Sequence, residues 1–428
     1  MSPLVILFFV AAGVMLLLGV PVSITIGGAS LLYIFTSGMK EMVAIQKLFA
    51  GVNSVALLAI PFFVLAGDLM NTGGIAKRLV RLANAYLGRR TGGLATIAIV
   101  GCMFFAAISG SGVATAAAIG SIMIPAMVAK GYDRNFSCSV IAAASPIGVV
   151  IPPSISFVVY GVLTGTSISD LYLAGIPAGL LMGLALILTS YIISKRHGYK
   201  GEEISEDRTE LKKERRAALK DAIWAIITPL ILIGGVFGGI FTPTESAVVA
   251  VVYAIAVGIF VYKDMKWSDL PQIFLRSAKT AVSIMFIIAN ASLFAYVLTY
   301  ERIPQTIVES LLRITSDPVV LLLIINVILL IAGTFMETSA ILIIMVPLLL
   351  PVINQIGMNL VHFGIMITVN TAIGLLTPPF GVCLFTTARI GETSIQALSK
   401  KVGWVLFALI ASLMLITYVP QLIMFMVP

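Results

Sequence analysis

Residues 145–156 read SPIGVVIPPSIS, and residues 370–382 read NTAIGLLTPPFGV. In each, an Ile-Gly pair and a Pro-Pro pair bracket three residues, inside an apolar segment long enough to cross a bilayer. Proline lacks an N–H and clashes with the preceding turn. A helix entering either stretch therefore breaks, and carbonyls near Val149, Val150, Leu375 and Leu376 lose their helical partners. Interrupted backbone at membrane depth is stable only where protein or a polar cavity surrounds it. Two interruptions at corresponding places in the two halves of one chain imply a solute site built from unwound helix.

Composition agrees with a membrane interior. The 428 residues are 59% hydrophobic and 11% charged, with a mean hydropathy of +1.09, against about 25% charged residues in soluble domains. Cys102, Cys138 and Cys383 lie in apolar or small-residue stretches without metal spacing, and the two histidines, His197 and His362, stand apart. The net charge of +8 resides mostly between apolar runs, which excludes a nucleic-acid surface. The start, residues 1–18, has no basic segment before it and reads as a first span rather than a signal peptide.

Outward from the two breaks, apolar runs predict spans at residues 3–19, 21–36, 45–70, 136–162 and 171–194, then at 222–241, 243–262, 271–299, 363–386 and 402–424. Residues 92–127 admit either two full spans or a re-entrant hairpin. Ser109-Gly110-Ser111-Gly112, suited to reversing the chain inside the membrane, favours the hairpin. Residues 318–353 repeat the pattern. Pro243 matches Pro21 at an offset of 222 (243 − 21), and at that offset Pro347 meets Pro125, Met345 meets Met123 and Glu337 meets Thr115. Two amphipathic segments precede the hairpins: IAKRLVRLANAYLGRR, with Lys77, Arg78, Arg81, Arg89 and Arg90, and the more acidic ERIPQTIVESLLRITSD.

Each half thus has five crossings and one hairpin. An odd number of crossings turns the second half upside down relative to the first, so the fold class is an all-α polytopic membrane protein of two inverted repeats with ten spans and two opposed hairpins. The Lys/Arg-rich residues 75–91, 195–221, 263–279 and 400–401 then all fall on the cytoplasmic face, with both termini outside. Residues 195–221 form a charged helical linker at the midpoint, and Arg389 to Lys401 form a polar loop.

Four stretches in order, ISGSGVATAAAIGSIMIPAM, SPIGVVIPPSISF, GGIFTPTESAVVAVVYA and NTAIGLLTPPFGVCLF, resemble the large membrane subunit of tripartite ATP-independent periplasmic (TRAP) transporters, and the resemblance covers essentially the whole chain. It implies a bacterial inner-membrane secondary transporter that moves organic anions such as sialic acid or C4-dicarboxylates with sodium. It also implies an elevator mechanism and two partners, a small four-helix membrane subunit and a soluble periplasmic substrate-binding protein. On this reading residues 92–170 and 318–401 form a transport domain of hairpins and broken helices. Residues 1–91 and 222–317 form a scaffold, 171–194 and 402–428 are the last helices of the repeats, and 195–221 is the linker.

Sodium, a hard cation, takes oxygen ligands. Two or more sodium ions and no organic cofactor are expected. One site is predicted between the first tip, Ser109, Gly110 and Ser111, and the break at Ser145, Val150 and Pro152; its mirror lies between Gly333, Thr334 and Glu337 and the break at Thr371, Thr377 and Pro378. Alternatively these small residues only let helices pack closely. Glu337, in an apolar run, either binds a cation or caps its own hairpin. Glu245, near the end of a span, reaches water cheaply. Substrate contacts are assigned to Ser154, Ser156, Asn370 and Arg389, with an interfacial anchor the alternative role for Arg389. Two other functions compete. A channel gives no reason for paired breaks, and an intramembrane enzyme lacks HExxH, GxSxG and Walker A signatures. A stand-alone sodium-coupled transporter without a binding protein stays open; for the anion, the resemblance favours a carboxylate, sialic acid slightly ahead, though no residue here selects it.

Overall fold

The computed structural model describes residues 3–87, 91–199, 208–315 and 317–428. Arg89, Arg90 and the acidic middle of the linker, residues 200–207, lie outside them. Every regular element is helical among the described residues. In chain order they are α1 Pro3–Leu17, α2 Val22–Thr36, α3 Met42–Val52, α4 Ala59–Thr72, α5 Ile75–Leu87, α6 Gly93–Ser109, α7 Gly112–Ala129, α8 Arg134–Ala144, α9 Ile147–Val150 and α10 Ile155–Thr164, followed by α11 Ile168–His197. The second half continues with α12 Arg208–Phe237, α13 Pro243–Ala256, α14 Leu270–Tyr300, α15 Ile303–Ile314, α16 Pro318–Phe335 and α17 Thr338–Gln355. It ends with α18 Leu360–Gly374, α19 Val382–Ile390, α20 Ile395–Tyr418 and α21 Gln421–Met424.

Nine of these helices, among the described residues, are long and apolar enough to cross a membrane, or ten if the pair Arg134–Val150 and Ile155–Thr164, bent by 41°, counts as one span. Three of the nine are hairpin helices, and α1 and α2 fall short of the length required. Both proline pairs interrupt their helices, and each contains a cis peptide bond, Pro152-Pro153 and Pro378-Pro379.

Three expectations are corrected. The apolar run 45–70 is not one span: α3 stops at Val52, Asn53 and Ser54 leave the helix, and a 3₁₀ turn at Val55–Leu58 leads into α4. The loop Arg389 to Lys401 is shorter than its polarity suggests, because Ser394 accepts the Ala397 N–H at 3.2 Å and starts α20 there, leaving Lys400 and Lys401 helical. The offset between halves also changes along the chain. Ser111 caps α7 and Glu337 caps α17, an offset of 226 (337 − 111), and the same offset relates Asp133 to Asn359 and Gly148 to Gly374. Glu337 therefore corresponds to Ser111, not to Thr115. Pairing Pro125 with Pro347 slips four residues, close to one helical turn, which preserves the apolar face and disguises the slip.

Packing separates two groups of helices. α1–α4 and α12–α14 pack on one another, as do α6–α11 and α16–α20, with α11 and α20 against the broken helices. The amphipathic α5 bridges between α6 and α12, and α15 between α14 and α17. α5 buries Ile75, Ala76, Leu79 and Val80. Its Arg78 pairs with Asp221 of α12 at 3.3 Å and with Asp264, and its guanidinium stands 3.6 Å over the Tyr262 ring.

Candidate functional site

The first hairpin tip is built by local capping. Gly110 ends α6 at φ 59°, a conformation that glycine adopts without a Cβ penalty. Ser111 then caps α7, its Oγ accepting the Ala114 N–H at 3.4 Å. Thr115 holds the turn closed: its Oγ1 donates to the Ser111 carbonyl at 2.8 Å and lies 3.0 Å from the Ser109 hydroxyl. This tip ends inside the protein against the first broken helix. A Cβ on Gly148 would meet Thr115 Oγ1 at 2.5 Å and the Ser111 carbonyl at 2.9 Å, and one on Gly112 would meet the Ser145 carbonyl at 3.3 Å.

The second tip repeats this with different chemistry. Glu337 caps α17, its carboxylate accepting the Ser339 N–H at 2.9 Å and facing the Ser339 hydroxyl at 3.3 Å. A carboxylate at a helix N-terminus is favoured by the unsatisfied N–H groups there. Here, near the tip, α16 meets the second broken helix glycine to glycine: a Cβ on Gly333 would sit 2.9 Å from Gly374 Cα and 3.5 Å from the Thr371 carbonyl. The glycine of each Ile-Gly pair is thus where a hairpin docks.

Both tips open onto one cavity of about 490 Å³. Ser109 to Ala114 line it from the first hairpin, Val149, Ile155 and Ser156 from the first break, Glu337 and Ser339 from the second hairpin, and Leu375 from the second break. The opposite wall comes from the other group of helices, with Gly67, Asp68 and Asn71 of α4 and Thr280, Ser283, Ile284 and Ile287 of α14. Asp68 is fixed there by the Arg276 guanidinium at 3.0 Å and the Ser277 hydroxyl at 2.6 Å. The first turns of three helices, α7, α10 and α17, line the cavity, presenting the positive ends of their dipoles. Cavities of this volume hold small organic molecules.

A hairpin and a broken helix occurring twice in this order accompany a family-wide likeness. Residues 9–422 match the family described as "Tripartite ATP-independent periplasmic transporter, DctM component". This chain belongs to the DctM family. Among its relatives, the isethionate TRAP transporter permease protein DctMQ of Oleidesulfovibrio alaskensis is 44% identical over 99% of this chain, which spans 66% of that protein's length. The C4-dicarboxylate TRAP transporter large permease protein DctM of Pseudomonas aeruginosa is 42% identical, covering 93% of this chain and 92% of its own. The sialic acid TRAP transporter large permease protein SiaM of Vibrio cholerae is 36% identical over 95% and 94%. Of solved structures, the YdaH transporter of Alcanivorax borkumensis superposes with a TM-score of 0.60 at 15% identity, covering 87% of this chain and 86% of that one. MtrF of Neisseria gonorrhoeae, described with a class of antimetabolite efflux pumps, gives 0.53 at 11%, covering 87% and 82%. At these identities the likeness is one of fold alone. A DctM-family chain is a multi-pass membrane transporter component, and its named relatives are transporter permeases.

Within this DctM-family fold, five predicted site residues reach the cavity: Ser109, Gly110, Ser111, Ser156 and Glu337. The Ser145 carbonyl abuts the first tip, and Gly333 and the Thr371 carbonyl meet behind the second. Other predicted groups turn elsewhere. Val150 directs its carbonyl to Gly175 of α11, and Pro153 rather than Pro152 presents a carbonyl to Gly110. The side-chain hydroxyls of Ser145, Thr334, Thr371 and Thr377 donate to carbonyls of their own helices, Ile141, Ile331, Ile367 and Ile373. Pro378 stands in the second break, which lines the cavity through Leu375 alone. Ser154 spans the first break, donating to the Val149 carbonyl at 2.5 Å and accepting the Phe157 N–H at 3.3 Å. Asn370 is fully buried and donates to the Asn326 carbonyl and Oδ1 at 2.9 and 2.7 Å. Arg389 is exposed in the last turn of α19, away from the cavity. Sequence reasoning missed the α4 and α14 wall. Asp68, an acid in the apolar run 45–70, carried the same signal as Glu337.

Proposed function

We propose that this chain is the large permease subunit of a sodium-coupled TRAP system importing a small organic anion, carboxylate or sulfonate, across a bacterial inner membrane, with both termini periplasmic. The convergence of the α7 and α10 N-termini, capped by neutral serines, on one cavity supports an anionic substrate, because main-chain N–H groups and helix dipoles there favour negative charge. Relatives named for isethionate, C4-dicarboxylates and sialic acid are consistent with that class, and higher identity to the first two favours the smaller anions.

In this reading one sodium ion binds where the first tip meets the Ser145 carbonyl, and another near Gly333 and the Thr371 carbonyl. Because the cavity lies between two groups of helices, sliding one group against the other carries it across the membrane, an elevator motion. A periplasmic binding protein delivers substrate, and a small membrane subunit supports the outer helices.

The test is uptake of radiolabelled isethionate, succinate and sialic acid into proteoliposomes holding this chain with its small subunit and binding protein. Accumulation of at least one anion should require an inward sodium gradient. Accumulation that ignores sodium overturns the coupling, and uptake that needs no binding protein overturns the tripartite assembly.

A further inference from the structure

We propose that this protein carries a binding site for an anionic phospholipid between the C-terminal end of α11 and the first turns of α20, remote from the substrate cavity. A groove of about 530 Å³ lies there, with Arg196, Lys400 and Lys401 along one end and Ile192, Trp404 and Phe407 along the rest. None of these three cations has an acidic partner among the described residues; the ion pairs there use Arg78, Arg81, Arg134 and Arg276. A basic cluster at the rim of an apolar surface attracts a bound anion.

The apolar part of the groove says which anion. Trp404 and Phe407 are 66% and 68% exposed, and on α11 Leu184, Leu188 and Ile192 form an exposed stripe one turn apart. From Arg196 back to Leu184 is twelve residues, about 18 Å of helix, close to the half-thickness of a bilayer's hydrocarbon core at about 15 Å. Cations at one end and a lipid-length apolar track below them match a phospholipid of net negative charge, headgroup and acyl chain together. A soluble phosphate ester would leave the track uncovered. The basic end is tied to neighbouring elements: Tyr199, which lines the groove, stacks on Tyr132 with centroids 4.6 Å apart, and its carbonyl accepts the Gly92 N–H at 3.2 Å. α11 and α20 pack on the broken helices, so the lipid belongs to the helix group that holds both hairpins.

Trp404 is itself the reporter. In the W224F/W267F protein, reconstituted at full length, Trp404 fluorescence is quenched by brominated phosphatidylglycerol or by brominated phosphatidylcholine at equal mole fraction. Preferential quenching by phosphatidylglycerol, severalfold beyond its mole fraction, is expected, and R196Q/K400Q/K401Q should abolish the preference. K212Q/K213Q/K220Q, which removes three cations of α12 outside the groove, should leave it intact. Equal quenching by both lipids overturns the site, as does an equal loss of preference in the two triple variants. Relief of quenching by added glycerol phosphate would assign the groove to a soluble phosphate ester instead and overturn the lipid assignment.

Discussion

Replacing Gly148 by alanine tests whether docking of the first hairpin on the broken helix builds the ion site. The new Cβ would lie 2.5 Å from Thr115 Oγ1 and 2.9 Å from the Ser111 carbonyl oxygen. The threonine hydroxyl is pinned by its bonds to Ser109 and Ser111, and the carbonyl is main chain, so neither can rotate away. Reaching ordinary contact requires the tip to retreat by about half an ångström or more, and overpacking of this kind costs about 1–3 kcal/mol. Setting that cost against the docked tip shifts its population by about five- to a hundredfold. Reconstituted protein should show a sodium concentration for half-maximal uptake raised by about five- to a hundredfold, with the fold intact by circular dichroism. Gly403→Ala, where no heavy atom lies within 4 Å of the new Cβ, is the matched control and should behave as the parent. If Gly148→Ala retains the parental sodium requirement and maximal rate, contact between hairpin and broken helix has no part in binding the ion.

Three further substitutions test the same geometry. Gly374→Ala drives its Cβ into the Gly333 main chain, with no side chain to yield, so uptake should fall further than with Gly148→Ala; near-parental transport would refute close packing at the second tip. Ser154→Ala removes both the bond to the Val149 carbonyl and the cap of α10, and should lower the free energy of unfolding by about 1–2 kcal/mol, read as a lower melting temperature in detergent. Asp68→Asn keeps an acceptor for Ser277 but removes the charge facing Arg276. Uptake should drop while the melting temperature changes little, and a parental substrate affinity and rate would exclude Asp68 from the cavity's function.

Where the chain breaks was legible because the signals are covalent. Pro152 and Pro378 remove a helical donor, Gly110 can adopt a left-handed φ, and Ser111 caps the helix after it, so the residue types at each interruption dictate its local form. The break at Asn53 and Ser54 was missed for the converse reason. Neither residue forbids a helix, and the apolar run around them reads as one span; the chain leaves the helix there as α3 packs on α14 and α4 on α13 and α14, contacts that no local window contains. The four-residue slip between halves was hidden by helical periodicity itself, which returns each apolar residue to nearly the same face.

The site was half legible, and the missing half has a physical pattern. Serine and threonine in apolar helices satisfy their hydroxyls by donating to the carbonyl three or four residues back, as Ser145, Thr334, Thr371 and Thr377 all do. A hydroxyl in a span is therefore weak evidence of a ligand even at a break, where Ser145 and Thr377 still bond the carbonyl four residues back. Ser109, Ser111 and Ser156 are the predicted serines that reach the cavity. Glycine carries the complementary information. Gly112, Gly148, Gly333 and Gly374 let one main chain approach another, bringing the Ser145 carbonyl to Gly112, the Ser111 carbonyl to Gly148 and the Thr371 carbonyl to Gly333. Main-chain carbonyls, which every residue possesses, are thus the oxygen groups that these close approaches gather at the tips. Only the absence of a Cβ opposite them betrays their position in the sequence, so the informative letters at these tips are the glycines rather than the hydroxyls.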